Sequence, residues 1–162
     1  MELEIKKAAA CDIQAVAALY SSLIGTQGCT WNEYYPTAED VSHDVAAGAL
    51  YIASDGDGRI IAAVAAGEHD ETDGLGCWSR DMIRPLGISR LGVSADHQGR
   101  GIARRLMLFL EDTARSLGFD GAHFLVSPKN LRALRLYGSL GYVNAGSARM
   151  FEQDWYCYEK KL

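Results

Sequence analysis

The sequence predicts a mixed α/β fold, a mainly antiparallel central sheet flanked by helices, and three observations carry that prediction. Two apolar runs, ALYIAS and RIIAAVAAGEH, are joined by Asp55-Gly56-Asp57-Gly58, a strong hairpin signal. A strand ending at Val93 passes through a glycine turn into a segment where Ile102, Leu106, Phe109, Leu110, Thr113 and Leu117 recur at helical spacing, with Gly118 as its stop. Strand and helix periods alternate elsewhere, which places a strand–helix–strand unit beside the hairpins. The 162 residues, 1–162, read as one domain, long enough to bury about 70% of the unfolded surface.

In chain order, Leu3 and Ile5 alternate with charged residues and predict a short first strand. A helix follows from Asp12, with Ile13, Val16, Ala17, Tyr20 and Ile24 on one face and Gly25 as its stop. Residues 25–35, GTQGCTWNEYY, have no period and read as a loop of the kind that contacts substrates. Thr37 and Asp40 form a capping signal for a second helix carrying Val41 and Val45 and ending near Gly48. After the hairpin, Glu68 to Met82 is polar and glycine-containing and reads as an excursion. The next strand runs from Leu86 to Val93, into the turn and long helix. Ala122, Phe124 and Val126 mark a strand. Pro128 then suits the entry to a helix whose Ala133, Leu136, Tyr137 and Leu140 share a face. The last strands lie near Tyr142–Ala145 and Trp155–Lys160.

Composition narrows the function classes. A net charge of −5 and a pI near 5.3 argue against a nucleic-acid footprint. No run approaches a membrane span or a signal-peptide core, so a soluble, cytoplasmic protein is expected. Cys11, Cys29, Cys77 and Cys157 are scattered without C-x-x-C spacing, and free thiols are the expectation. The acidic runs Glu68, Asp70, Glu71, Asp73 and Glu39, Asp40, Asp44 read as solvated faces. His97 and His123 lack metal-ligand spacing, and no metal site is expected.

The segment LGVSADHQGRGIARRLM, Leu91 to Met107, has the make-up of a diphosphate site. A helix N-terminus presents unpaired N–H groups and a partial positive charge. Gly99 can take a positive φ, Gly101 lets the backbone approach an anion, and Arg100, Arg104 and Arg105 add charge. A dinucleotide fingerprint fails at Arg104, where a small residue is needed, and no P-loop lysine follows.

The pattern Q/R-x-x-G-x-G/A, read as Gln98, Gly101 and Ala103 after a strand ending in Leu-x-Val, resembles the pyrophosphate motif of the Gcn5-related N-acetyltransferase (GNAT) family. VSPKNLRALRLYGSLGY, Val126 to Tyr142, resembles that family's next block through Asn130, Tyr137 and the final Leu-Gly-Tyr. The resemblance implies a splayed sheet with acetyl-CoA wedged in its gap. It implies cofactor contacts from Leu91, Gly92, Val93, Gln98, Gly99, Arg100, Gly101, Ile102, Ala103, Arg104, Asn130 and Tyr137. Here Leu91-Gly92-Val93 pairs with the pantetheine arm, and the Val93 N–H donates to the thioester oxygen. Tyr137 is the expected general acid, since a phenol is protonated at pH 7. Its alternative reading is a core aromatic, and that of Asn130 is a helix cap.

No carboxylate occupies Leu86–Arg90 or Phe124–Val126, where some family members keep a base, so Glu68 stands as base candidate with His69 and Asp81 in reserve. The expected activity is acetyl transfer from acetyl-CoA to a primary amine, a small molecule, by direct attack in a ternary complex. Trp31, Tyr34, Tyr35 and Trp78 are candidates to wall the amine site. A non-catalytic acyl-CoA-binding or regulatory module, transfer to a protein lysine or N-terminus, transfer of a longer acyl group, and a homodimer stay open.

Overall fold

The computed structural model describes residues 1–68 and 71–162; the reserve base His69 and the acidic Asp70 lie outside the described residues. The elements run β1 (Glu4–Lys7), α1 (Ile13–Leu23), α2 (Ala38–Ala46), β2 (Leu50–Ser54), β3 (Ile60–Gly67), β4 (Pro85–Val93), α3 (Ile102–Ser116), β5 (Gly121–Val126), α4 (Leu131–Ser139), β6 (Val143–Met150) and β7 (Gln153–Lys161). The strand order is β1-β2-β3-β4-β5-β7-β6. β1–β2, β2–β3, β5–β7 and β6–β7 pair antiparallel, while β4 and β5 pair in parallel, as a strand–helix–strand connection through α3 requires. The mixed, mostly antiparallel sheet expected from the sequence is the one observed.

The chain groups into two compact units, Met1–Ala66 with Arg90–Phe109, and Gly67–Ser89 with Leu110–Leu162, and β4 and α3 each contribute to both. In the first unit, Val16, Leu19 and Tyr20 of α1 and Val41 of α2 pack with Leu50, Ile52 and Ala63 of the β2–β3 hairpin. Asp55 builds the hairpin turn: its Oδ1 accepts the N–H groups of Asp57 (3.0 Å) and Arg59 (2.9 Å), and Gly58 takes φ +79°. The Thr37/Asp40 capping box forms as expected, Thr37 N–H donating to Asp40 Oδ2 at 2.7 Å and Asp40 N–H to Thr37 Oγ1 at 3.3 Å.

In the second unit Phe124 centres an aromatic cluster with Tyr137 (4.5 Å), Tyr142 (4.9 Å) and Tyr158 (6.3 Å). Glu111 of α3 is buried and accepts a 2.9 Å bond from Lys160 Nζ, which also donates to Leu140 O.

Several expectations are corrected. Cys77 and Cys157 are not free thiols but a disulfide, Cα atoms 6.2 Å apart, fastening the excursion before β4 to β7; Cys11 and Cys29 are free. Ile24 and Leu117 fall just past the ends of α1 and α3 and are exposed; Leu19 and Leu23, and Met107 and Ala114, hold the buried faces instead. The last two strands are longer than predicted because they meet in a two-residue turn, Phe151-Glu152, with φ +56° and +59°. That geometry ordinarily selects Asn-Gly, so the sequence carried no turn signal there. Asp44 and Asp73, read as solvated, are engaged: Asp44 is buried, and Asp73 pairs with buried His123 at 3.0 Å.

Candidate functional site

The strand-to-helix turn is built entirely within the first unit. Ser94 N–H donates to Ile61 O at 2.8 Å, anchoring the chain where it leaves β4. The Gln98 side-chain amide donates to Val93 O at 3.0 Å, closing the turn back on the strand end. Gly99 (φ +77°) and Gly101 (φ +76°) adopt the left-handed conformation, and a Cβ at either would project into open space. Both glycines are therefore required by the backbone path and not by crowding from the protein. Ile102, fully buried, anchors the first turn of α3, and Arg100, Arg104 and Arg105 are exposed around it. Ala103 follows in that first turn. Clear space over two such glycines, a fifteen-residue helix starting there and three guanidinium groups fit a diphosphate.

The strand before the turn is held as tightly. A Cβ on Gly92 would lie 2.9 Å from Leu23 Cδ1, 3.2 Å from Trp31 and 3.3 Å from Tyr20, so packing demands glycine there. Leu91 and Val93 on either side are partly exposed. Two residues earlier, Arg90 has φ +51°, a departure from strand geometry that the sequence did not signal.

The remaining predicted residues belong to the second unit. Asn130 is the N-cap of α4, its Oδ1 accepting Ala133 N–H at 3.2 Å. Tyr137 is buried in the aromatic cluster, its ring centroid 4.5 Å from that of Phe124. Burial raises its phenol well above the ordinary value, so it keeps its proton. Glu68 forms a two-pronged ion pair with Arg84, 2.7 Å to Nε and 2.9 Å to Nη2. Arg84 also donates to Leu117 O and lies 4.2 Å over the Phe119 ring, so Glu68 completes an anchor of the segment before β4. Asp81 is exposed. Of the aromatic wall candidates, Trp31 packs edge-on against Tyr20, Tyr35 hydrogen-bonds Arg90, Tyr34 is exposed, and Trp78 stacks on His123 at 4.2 Å while donating to Thr72 O.

Sequence reasoning missed Arg90 and Asp44. The available signals were an arginine inside an otherwise apolar strand, and an aspartate at the inward phase of α2, three residues after Val41. Among the described residues no group of three or more His, Cys, Asp or Glu is arranged to hold a metal ion, and no helix is long and apolar enough to cross a membrane.

Comparison with known proteins agrees with this fold. The model of the acetyltransferase (GNAT) family matches residues 16–142. The L-amino acid N-acyltransferase MnaT of Escherichia coli K12 is 26% identical over 145 residues, covering 87% of this chain and 80% of the relative. Among solved structures, a GNAT acetyltransferase from Streptococcus agalactiae superposes with a TM-score of 0.80 at 22% identity over 99% of this chain and 95% of its own. The yncA protein of Salmonella typhimurium, solved with acetyl-CoA, gives 0.75 at 20% identity over 100% and 95%.

Proposed function

The chain belongs to the GNAT acetyltransferase family, and from that premise we propose that it is an acetyl-CoA-dependent N-acetyltransferase, one domain acting on the primary amine of a small molecule by direct attack in a ternary complex. The observation that carries the cofactor assignment is the pair of left-handed glycines, Gly99 and Gly101, at the cationic N-terminus of α3 with nothing over them. The relative named an L-amino acid N-acyltransferase supports a small acceptor such as an amino acid.

Acetyl-CoA supplies the acyl group as a thioester and a thiolate leaving group. The backbone amides from Gly99 to Arg104 bind the diphosphate, and Arg100 and Arg104 neutralise it. Gln98 holds the turn closed on Val93. Leu91, Gly92 and Val93 offer an extended backbone to the pantetheine arm, and the Val93 N–H polarises the thioester carbonyl. Asn130 both caps α4 and lends its amide to the cofactor. Tyr137 donates the proton that the thiolate needs. Glu68 acts as a base only if it leaves Arg84; while that pair stands, the amine enters neutral, gives its excess proton to solvent once it has attacked, and solvent reprotonates Tyr137.

Substituting Gly101→Asp tests the assignment. A side chain at φ +76° and a negative charge beside the diphosphate should abolish acetyl-CoA binding in titration calorimetry; unchanged affinity would remove the assignment. The engagement of Glu68 and the lack of a carboxylate in Leu86–Arg90 favour one second reading, a non-catalytic acyl-CoA-binding module. It predicts tight coenzyme A binding with no transfer to any amine or peptide.

A further inference from the structure

Arg90 is where β4 leaves strand geometry, and three elements of the first unit converge on it. Its Nε and Nη2 donate to Asp44 Oδ2 (2.8 Å) and Oδ1 (2.7 Å), a two-pronged pair with side-chain exposures of 18% and 7%. Its Nη1 donates to the Tyr35 hydroxyl at 2.9 Å. Its own carbonyl accepts the hydroxyl of fully buried Tyr20 at 2.7 Å. Side chain and main chain of one residue are thus gripped from α1, α2 and the loop between them, at a φ of +51° that ordinarily favours glycine.

A buried ion pair of this kind adds little net stability over well-packed apolar residues, whereas its directional fork fixes a conformation. The conformation fixed here is that of the backbone entering Leu91-Gly92-Val93. Tyr20 belongs to both ends of the arrangement: its hydroxyl holds the Arg90 carbonyl while its ring, with Leu23 and Trp31, abuts Gly92.

We propose that Asp44 and Arg90 are positioning residues for the acyl-transfer site. Their fork holds residue 90 in the left-handed conformation and so aims the Leu91–Val93 backbone at the acyl-pantetheine arm. This inference rests on the cofactor reading above. It assigns to α2 a role in transfer without contact with cofactor or acceptor, and it explains why an aspartate occupies the inward face of that helix.

The test compares Asp44→Asn, Arg90→Lys and the double variant Asp44→Asn/Arg90→Gly with the wild type, measuring acetyl-CoA affinity, kcat, KM and thermal unfolding. Either single change breaks the two-pronged geometry and should lower kcat/KM for acetyl-CoA about tenfold. Glycine reaches φ +51° without a clamp, so the double variant should recover to within about threefold of wild type, although it has lost the same ion pair. Recovery of kcat/KM without recovery of the melting temperature separates positioning from mere stability. Both single variants folded with wild-type kinetics, or a loss in Asp44→Asn that glycine at 90 fails to restore, would overturn the proposal. If Asp44→Asn does not fold, Arg90→Lys decides by the same kinetic criterion. Wild-type protein that binds no acetyl-CoA would instead overturn the cofactor reading, and this inference with it.

Discussion

Tyr137 is buried against Phe124, and loss of water around its hydroxyl raises its pKa above the ordinary phenol value of about 10. A raised phenol stays protonated further into alkali, so the acid form needed for thiolate protonation persists across the working range. The proposed attack by a neutral amine makes the opposite demand, because the neutral fraction grows with pH. The rate at subsaturating amine should therefore rise with pH, level near the acceptor's own pKa, and show no Tyr137-dependent decline below about pH 10. A decline near pH 7 to 8 that disappears in Tyr137→Phe would contradict this. The structural alternatives to the proposed roles are both observed: Asn130 is a helix cap and Tyr137 a core aromatic, as their spacing allowed. Glu68 was visible only as a carboxylate at a strand end, because its partner Arg84 lies sixteen residues away across the excursion.

At the scale of elements, local chemistry decided what could be read. The β2–β3 hairpin and α2 were legible because Asp55 with Gly58, and Thr37 with Asp40, carry their own turn and cap interactions. The β6–β7 turn was illegible because Phe151 and Glu152 occupy positive φ without any residue that favours it. Glu152→Gly relieves one of those conformations and should raise stability by about 0.5–1 kcal/mol, read as a higher urea midpoint at unchanged slope. An unchanged or lower midpoint would show that the Glu152 side chain outweighs the backbone cost. The turn between β4 and α3 was legible for the same reason as the first hairpin, since glycine occupies both left-handed positions. The left-handed Arg90 in β4 was not, because its conformation is imposed by Asp44, Tyr35 and Tyr20 from distant segments.

For the molecule as a whole, the mixed α/β fold followed from alternating periods, whereas the place of β7 between β5 and β6 had no local signal, because the connection through α4 carries the chain past a strand that comes later in sequence. Pairing of Cys77 with Cys157 could not be read, since it arises only when the excursion folds back on β7. The bond closes a loop spanning 80 residues. Replacing both cysteines by serine should lower the unfolding free energy by about 2–4 kcal/mol, measured by denaturant titration beside reductant-treated wild type. Equal stability with and without the bond would show that Trp78 on His123 and the Glu68–Arg84 pair suffice to hold the segment.

Release of coenzyme A thiol from acetyl-CoA, measured with a panel of amino acids, other small amines and basic peptides in parallel on wild type and Tyr137→Phe, distinguishes an acetyltransferase from a protein that only binds the cofactor. Amine-dependent release is expected with a small primary amine, falling about 10²–10⁴-fold in the variant while acetyl-CoA affinity holds. Acetyl-CoA binding without release for any acceptor would contradict transfer, release confined to peptides would contradict a small acceptor, and an undiminished rate in Tyr137→Phe would contradict its role as the acid.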